Sequence, residues 1–407
     1  MPTIQRLPTE VRLMIAERLG SENLLAPLSR VNKDWEQLCT PVIWSRIRIV
    51  CGANTGTSTR EVEPTPAEAL KDWIPRHRDH LQSVKLKLQA PTSADLDLLQ
   101  DALAFVPRVD KLDCSFYSDG TQGGHDGYSE GADLLRRVAN ILRYETKGTR
   151  KAKLDFDGID VRGADTTEDY FGTALVIGQI LDRLQPTCEE LTYSAPGEIL
   201  SGALDARLIE TILRFPKLKV LSILSDSLLA VQPPETAVQQ LESLSLTIRQ
   251  YRWVSILDNS TAAYGILRPH ARTLKHLSLR QCVPLLSGPA LQPREFPQLE
   301  TLTLEDGGVD EHALFRFLIP RACPRLSAFE FFENLDDLAV DQMPEFLDLL
   351  PSPGQIKEVR VHPLRDAIDS LAGDEIYLAN CENRRALRQV CKSRGIRLIE
   401  RAEDQEL

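Results

Sequence analysis

The sequence predicts an α/β protein: a compact helical module at the N-terminus, then an irregular array of strand–turn–helix units. Three observations predict this. An apolar-x-x-apolar-x-apolar spacing keeps returning after residue 67, and its last three positions alternate as a half-buried strand does. Helical stretches lie between the copies, and several end at a proline just before the next strand. Leucine supplies 61 of the 407 residues, about 15%, while aromatics supply only 6%. That balance favours repeats or helices over a sandwich.

Length and charge bound what the chain can do. At 407 residues it is long for one compact core and suits two or three domains or one elongated array. With 48 Lys and Arg against 59 Asp and Glu, its net charge is −11. An acidic chain is a poor non-specific binder of nucleic acid, which requires cations to displace counterions, and a poor partner for anionic membranes. No stretch approaches the roughly 18–20 apolar residues that span a bilayer. The start, Met1 to Arg6, has no apolar core of a secretory signal. The eight cysteines form no C-x-x-C pair and no disulfide framework. The expectation is a reduced protein of the cytoplasm, the nucleus or both.

Residues 5–50 come first. Pro8 suits a first helical turn, where its missing N–H costs nothing, and Glu10 complements the helix dipole. Leu7, Val11, Met14, Ile15 and Leu19 recur at helical spacing, and Gly20 offers a stop. Ser21 can cap a second helix with Leu24, Leu25, Leu28 and Val31. Asn32 can cap a short third helix with Trp35 and Leu38, which Pro41 is expected to break before Trp44. A three-helix module this small buries too little surface to be robust alone, so it should lean on a neighbour or a partner.

Residues 51–66 are polar and rich in Gly, Thr and Pro, and read as a linker. The array is expected over 67–400, ahead of an acidic tail at 401–407. Its clear copies are Leu218-x-x-Leu221-x-Ile223, Leu241-x-x-Leu244-x-Leu246, Leu274-x-x-Leu277-x-Leu279 and Leu299-x-x-Leu302-x-Leu304. Looser copies begin at Leu81, Val109, Leu326 and Ile356, and degenerate ones at Lys151 (with Leu154 and Phe156) and Cys188. Trp44-x-x-Ile47-x-Ile49 starts the series and Ile396-x-Leu398 closes it. Helices are expected over 94–105, 132–143, 171–184, 203–215, 311–319 and 342–350. Ser118 to Gly131 reads as a loop.

Starts at 218, 241, 274, 299, 326 and 356 lie 23 to 33 residues apart. Spacing and pattern together resemble leucine-rich repeats, whose units run to about 20–29 residues. Cys282, three residues after Leu279, sits where those repeats hold Asn or Cys. The resemblance implies an irregular leucine-rich-repeat solenoid, with parallel strands on one side and helices on the other.

The N-terminal module resembles an F-box. The resemblance rests on Leu7-Pro8-x-Glu10, Ile15, Leu19, Leu25, Leu28-Ser29-x-Val31, Trp35, Pro41 and Trp44-x-x-Ile47. It implies docking to a Skp-type adaptor, and through it to a cullin–RING scaffold, through Leu7, Pro8, Ile15, Leu19, Leu28, Val31 and Trp35. Some of these must also hold the module together. A chain with an F-box and leucine-rich repeats resembles the substrate receptors of SCF ubiquitin ligases, which hold a protein substrate and perform no chemistry themselves. The alternative is a non-catalytic binding module whose N-terminal helices only cap the first repeat.

Candidate substrate contacts follow from strand alternation, which places every second side chain opposite the buried leucines. They are Lys85, Lys87, Asp155, Asp157, Arg280, Glu305, Phe332 and Arg360. The plain alternative is that these are solvated surface residues. His77-x-x-His80, and His270 with His276, lack the further ligands that zinc requires, so no metal is expected. No glycine run forms a phosphate loop and no G-x-S-x-G occurs. The expectation is a non-catalytic protein with no cofactor.

Overall fold

The computed structural model describes residues 8–9, 11–12, 15–16, 28–52, 74–89, 97, 99–101, 109–117, 148–158, 167–195, 202–225, 227–228, 231, 241–248, 266–280, 296–305, 323–333, 355–363, 385 and 387–400. It divides into two compact units, Met1–Leu200 and Ser201–Leu407.

The first unit opens with helical residues at 9, 11–12, 15–16 and 28–29, followed by helix α1 (Lys33–Trp44). Asn32 caps α1 as expected: its backbone is extended and its Oδ1 accepts from the Trp35 N–H at 3.0 Å. Asp34 and Glu36 lie in the first turn, at the positive end of the helix dipole. Pro41 does not break the helix, which runs on to Trp44. An interior proline removes one hydrogen bond and costs roughly 3 kcal/mol. Continuing the helix keeps Val42 and Ile43 packed against buried Ala16, Trp35 and Cys39, and that burial offsets the cost.

Five parallel strands follow in this unit: β1 (Arg46–Gly52), β2 (Ser83–Gln89), β3 (Lys111–Tyr117), β4 (Lys151–Gly158) and β5 (Glu190–Ser194). Each pairs with the next in chain order. The second unit repeats the arrangement with β6 (Val220–Leu224), β7 (Ser243–Thr247), β8 (His276–Arg280), β9 (Thr301–Glu305), β10 (Ala328–Glu333), β11 (Glu358–Pro363) and β12 (Arg397–Glu400).

The apolar spacing is the cause of the ladders. Position one is buried at Leu81, Val109 and Cys188 in the first unit and at Leu218, Leu241, Leu274, Leu299, Leu326 and Ile356 in the second. Position four is buried beside it in each of these copies, and position six at Leu86, Cys114, Tyr193, Ile223, Leu246, Leu279, Leu304 and Val361, while the residues between them face the other way. A shared stitch sets the register. The carbonyl before most strands accepts two N–H groups from the entrance of the next strand: Ser45 from Gln82 and Ser83, Gln82 from Asp110 and Lys111, Lys275 from Glu300 and Thr301. These strand entrances therefore satisfy their backbone through a neighbour, which a lone repeat cannot do.

At β4 the frame differs from the expected one by two residues. Leu112 pairs with Ala152 and Cys114 with Leu154, so position one is Thr149, not Lys151. Thr149 and Ala152 are buried where other copies carry larger apolar side chains. A polar and a small residue in those slots hid the copy. The register of β3 and β4 also shifts beyond Ser115, and pairing resumes with Tyr117 opposite Gly158.

Two expected helices are present: α2 (Thr167–Leu184) and α3 (Gly202–Ile212). In α2, Ile177, Ile180, Leu181 and Leu184 form one buried face at helical spacing. In α3, Asp205 is buried and accepts a hydrogen bond from the Ser225 hydroxyl, whose oxygen in turn accepts from the Ser227 N–H. The chain after β6 is thereby tied to the helix before it. Residues 97 and 99–101 are helical within the expected 94–105, and 387–394 form a helical stretch before β12 that the sequence reading did not include. The helices expected over 132–143, 311–319 and 342–350, the loop at 118–131, Cys282, the tail at 401–407 and most of the 51–66 linker lie outside the described residues. Among the described residues no helix is long and apolar enough to cross a membrane.

Candidate interaction surfaces

In the helical module, the residues implied by the resemblance fall into different environments. Trp35 is 2% exposed, at the centre of the cluster with Ala16 and Cys39, and Leu28 packs against it. Val31, four residues earlier, is 61% exposed. It sits at the turn before Asn32, where the capped first turn of α1 fixes the backbone. Pro8 is exposed and its carbonyl accepts from the Arg12 N–H at 3.1 Å. Ile15 is half-buried. Leu7 and Leu19 lie outside the described residues. Structure thus separates what spacing could not: Trp35 holds the bundle, while Val31 and Pro8 face solvent.

The module is also built onto the first strands. Trp44, the last residue of α1, stacks on His77 with ring centroids 4.3 Å apart and planes 10° from parallel. Burial, then the charges of His80 and Arg76, lowers the His77 pKa below its ordinary value. His77 entered the sequence reading only as a rejected metal ligand. Its aromatic partner lies 33 positions away, and no local signal pairs them.

Of the strand-lined candidates, Lys85, Lys87, Asp155, Arg280 and Arg360 fall on the face opposite the leucines, in rows set by register. In the first unit Arg48, Lys85, Asp113, Lys153 and Thr192 share one row, and Lys87, Ser115, Asp155 and Ser194 the next. Lys85 is exposed, with its Nζ 3.6 Å from Asp113 Oδ2, and Asp155 is half-buried. Asp157 is a strand residue past the register shift, outside the Asp155 row. Lys153 was missed because the expected frame of β4 was displaced.

In the second unit one row runs Ser222, Ser245, Ser278, Thr303, Glu330 and Arg360. Thr303 Oγ1 donates to Glu330 at 3.4 Å. Arg360 donates to Glu358 at 2.6 Å through Nε and lies 3.6 Å from Glu330 through Nη1. Arg360 is therefore held in an ionic cluster and is only partly available to a partner. Arg280 is half-buried in β8, one row further along. Glu305 and Phe332 are strand residues of β9 and β10.

Burial pushes the thiols of Cys188 and Cys323 up to about 12 and that of Cys391 up to about 11. Such thiols are inert as nucleophiles. Among the described residues no three His, Cys, Asp or Glu side chains gather as a metal site would require.

Comparison with known proteins assigns the first region. The family described as F-box-like matches residues 4–50. No curated protein matches the chain. Among solved structures, a chain from the crystal structure of the Rad7 and Elc1 complex in yeast is similar at 12% identity, with 80% of this chain and 88% of that chain covered and a TM-score of 0.31. So low a score supports no further comparison.

Proposed function

We propose that the chain is the substrate-recognition subunit of an SCF-type ubiquitin ligase. Its F-box-like domain docks a Skp-type adaptor and, through it, a cullin–RING scaffold. Its strands, read as leucine-rich repeats, hold a protein substrate. The observation that carries this is the F-box-like match over residues 4–50, together with Val31 standing exposed beside a buried Trp35. An apolar side chain held in solvent on a capped turn is what a docking module needs. The chain itself does no chemistry: it raises the effective concentration of substrate near the charged enzyme.

Co-purification of the full chain with a Skp-type adaptor tests the reading. Stoichiometric capture by the full chain, lost in a folded Val31→Asp variant, supports it. No capture by a well-folded full chain removes the ligase reading.

A second reading has one observation in its favour. The Ser45 carbonyl accepts from Gln82 and Ser83, so the end of the helical module also sets the entrance of β2. The helices then serve as a cap to a repeat-based binding protein. Capping and docking are compatible, and only adaptor binding separates them.

A further inference from the structure

The exposed strand face of the first unit carries charge of the opposite sign to the chain as a whole. β1 presents Arg46 and Arg48, β2 Lys85 and Lys87, and β4 Lys151 and Lys153, with each pair two residues apart on one face. β3 adds Lys111. The carboxylates described among them in these rows are Asp113, Asp155 and Glu190. Among the described residues of these rows, cations therefore outnumber carboxylates seven to three, in a chain whose net charge is −11. Arg46, Arg48, Lys85, Lys111, Lys151 and Lys153 are exposed. Two ion pairs lie within these rows, Lys85 with Asp113 at 3.6 Å and Lys151 with Glu190 at 2.7 Å, and however the charges pair, the described residues of the rows carry a net positive charge.

We infer that this face binds an extended acidic peptide with carboxylates at alternate positions. Resting on the substrate-receptor reading above, this names the class of substrate segment. The geometry is one of matched periods. Residues i and i+2 of any extended chain lie about 6.5–7 Å apart, so a peptide running along β1, β2 or β4 sets alternate carboxylates over Arg46 and Arg48, over Lys85 and Lys87, or over Lys151 and Lys153. Neighbouring strands lie about 4.8 Å apart, so one carboxylate can reach cations on two strands. The flexible stems of Lys and Arg allow that reach. A nucleic acid fits less well. Asp113 stands between Lys85 and Lys153 in the same row and would oppose a continuous phosphate backbone, as would the charge of the whole chain. A peptide can place a neutral or basic residue there.

The test uses the full chain and a fluorescent twelve-residue peptide of alternating Glu and Thr. Controls are the same peptide with Lys for Glu and a single-stranded oligonucleotide. The Glu peptide is expected to bind, more weakly as salt rises. A variant carrying Arg48→Ser, Lys85→Ser and Lys153→Ser should lose roughly ten-fold or more in affinity, as about three surface ion pairs would give. The charge-conserving pair Lys85→Arg and Lys153→Arg should bind as the parent does. Should the triple variant fail to fold, Lys85→Gln and Lys153→Gln singly carry the test, each with a loss of about two- to five-fold. No binding of the Glu peptide at low salt, equal binding by the neutralised chain, or preference for the oligonucleotide would overturn the inference. Adaptor capture, measured beside it, is expected to be unaffected by these changes. A chain that binds the peptide but no adaptor would lose the ligase reading and keep this one.

Discussion

Trp44 closes helix α1 with its indole stacked on the imidazole of His77, at 4.3 Å between centroids. The contact joins the F-box-like domain to the residues that lead into β2. It is also sensitive to protonation. The His77 pKa lies below its ordinary value of 6.5, chiefly through burial. The unfolded chain therefore takes up this proton first as pH falls. Stability from the neutral ring is complete above the unfolded value and is lost as pH drops through the lowered folded one. Thermal midpoints measured from pH 7.5 to 5 should fall faster for the parent chain than for His77→Phe. Parallel falls would show that the stack carries no pH dependence.

Trp35 and Val31 should respond oppositely to substitution. Trp35→Ala empties the centre of the cluster with Ala16 and Cys39 and should cost about 3–5 kcal/mol. Val31→Asp changes an exposed site and should leave stability within about 0.5 kcal/mol while abolishing adaptor capture. Denaturant unfolding alongside co-purification reads both. Loss of capture by Trp35→Ala alone would say nothing about docking, because the domain would be unfolded.

Thr149 offers a stabilising change. Its Oγ1 is buried and, among the described residues, has no hydrogen-bond partner. Every clear copy of the repeat has an apolar side chain in this slot. Thr149→Val keeps the shape and removes the unsatisfied hydroxyl, so it should stabilise by about 1–2 kcal/mol. A shift in the urea midpoint with an unchanged slope is the expected signature. Destabilisation would mean that the hydroxyl is satisfied by water.

The buried thiols should resist alkylation. Cys188, Cys323 and Cys391 have pKa values raised to about 12, 12 and 11, and that of Cys114 is raised too, by burial and then by Asp113 and Asp155. Iodoacetamide at pH 7.5 should leave all four unmodified in the native chain and label them in denaturant, as read by peptide mass. Rapid native labelling at any one would show local opening there.

Much of the strand frame could be read from the chain because burial is a local demand. A residue such as Leu244 or Leu277 must leave water, and alternate spacing leaves one way to do so in a parallel ladder. The copy at Thr149 failed that reading because its apolar signal is weak. The helix through Pro41 failed it because a proline's local cost was outweighed by packing of Val42 and Ile43 that sequence spacing does not show.

The sequence by itself determined the order of the units, the buried position in nearly every strand, the Asn32 cap and the F-box pattern. Each of these is fixed by residues within a few positions of one another. Only tertiary structure decided that Trp35 is core and Val31 is surface, that His77 meets Trp44, and that Lys153 aligns with Lys85 and Asp113. Those facts depend on which distant segments share a register. Register is set by the sum of many burial and hydrogen-bond terms along the array, and no single window of sequence contains that sum.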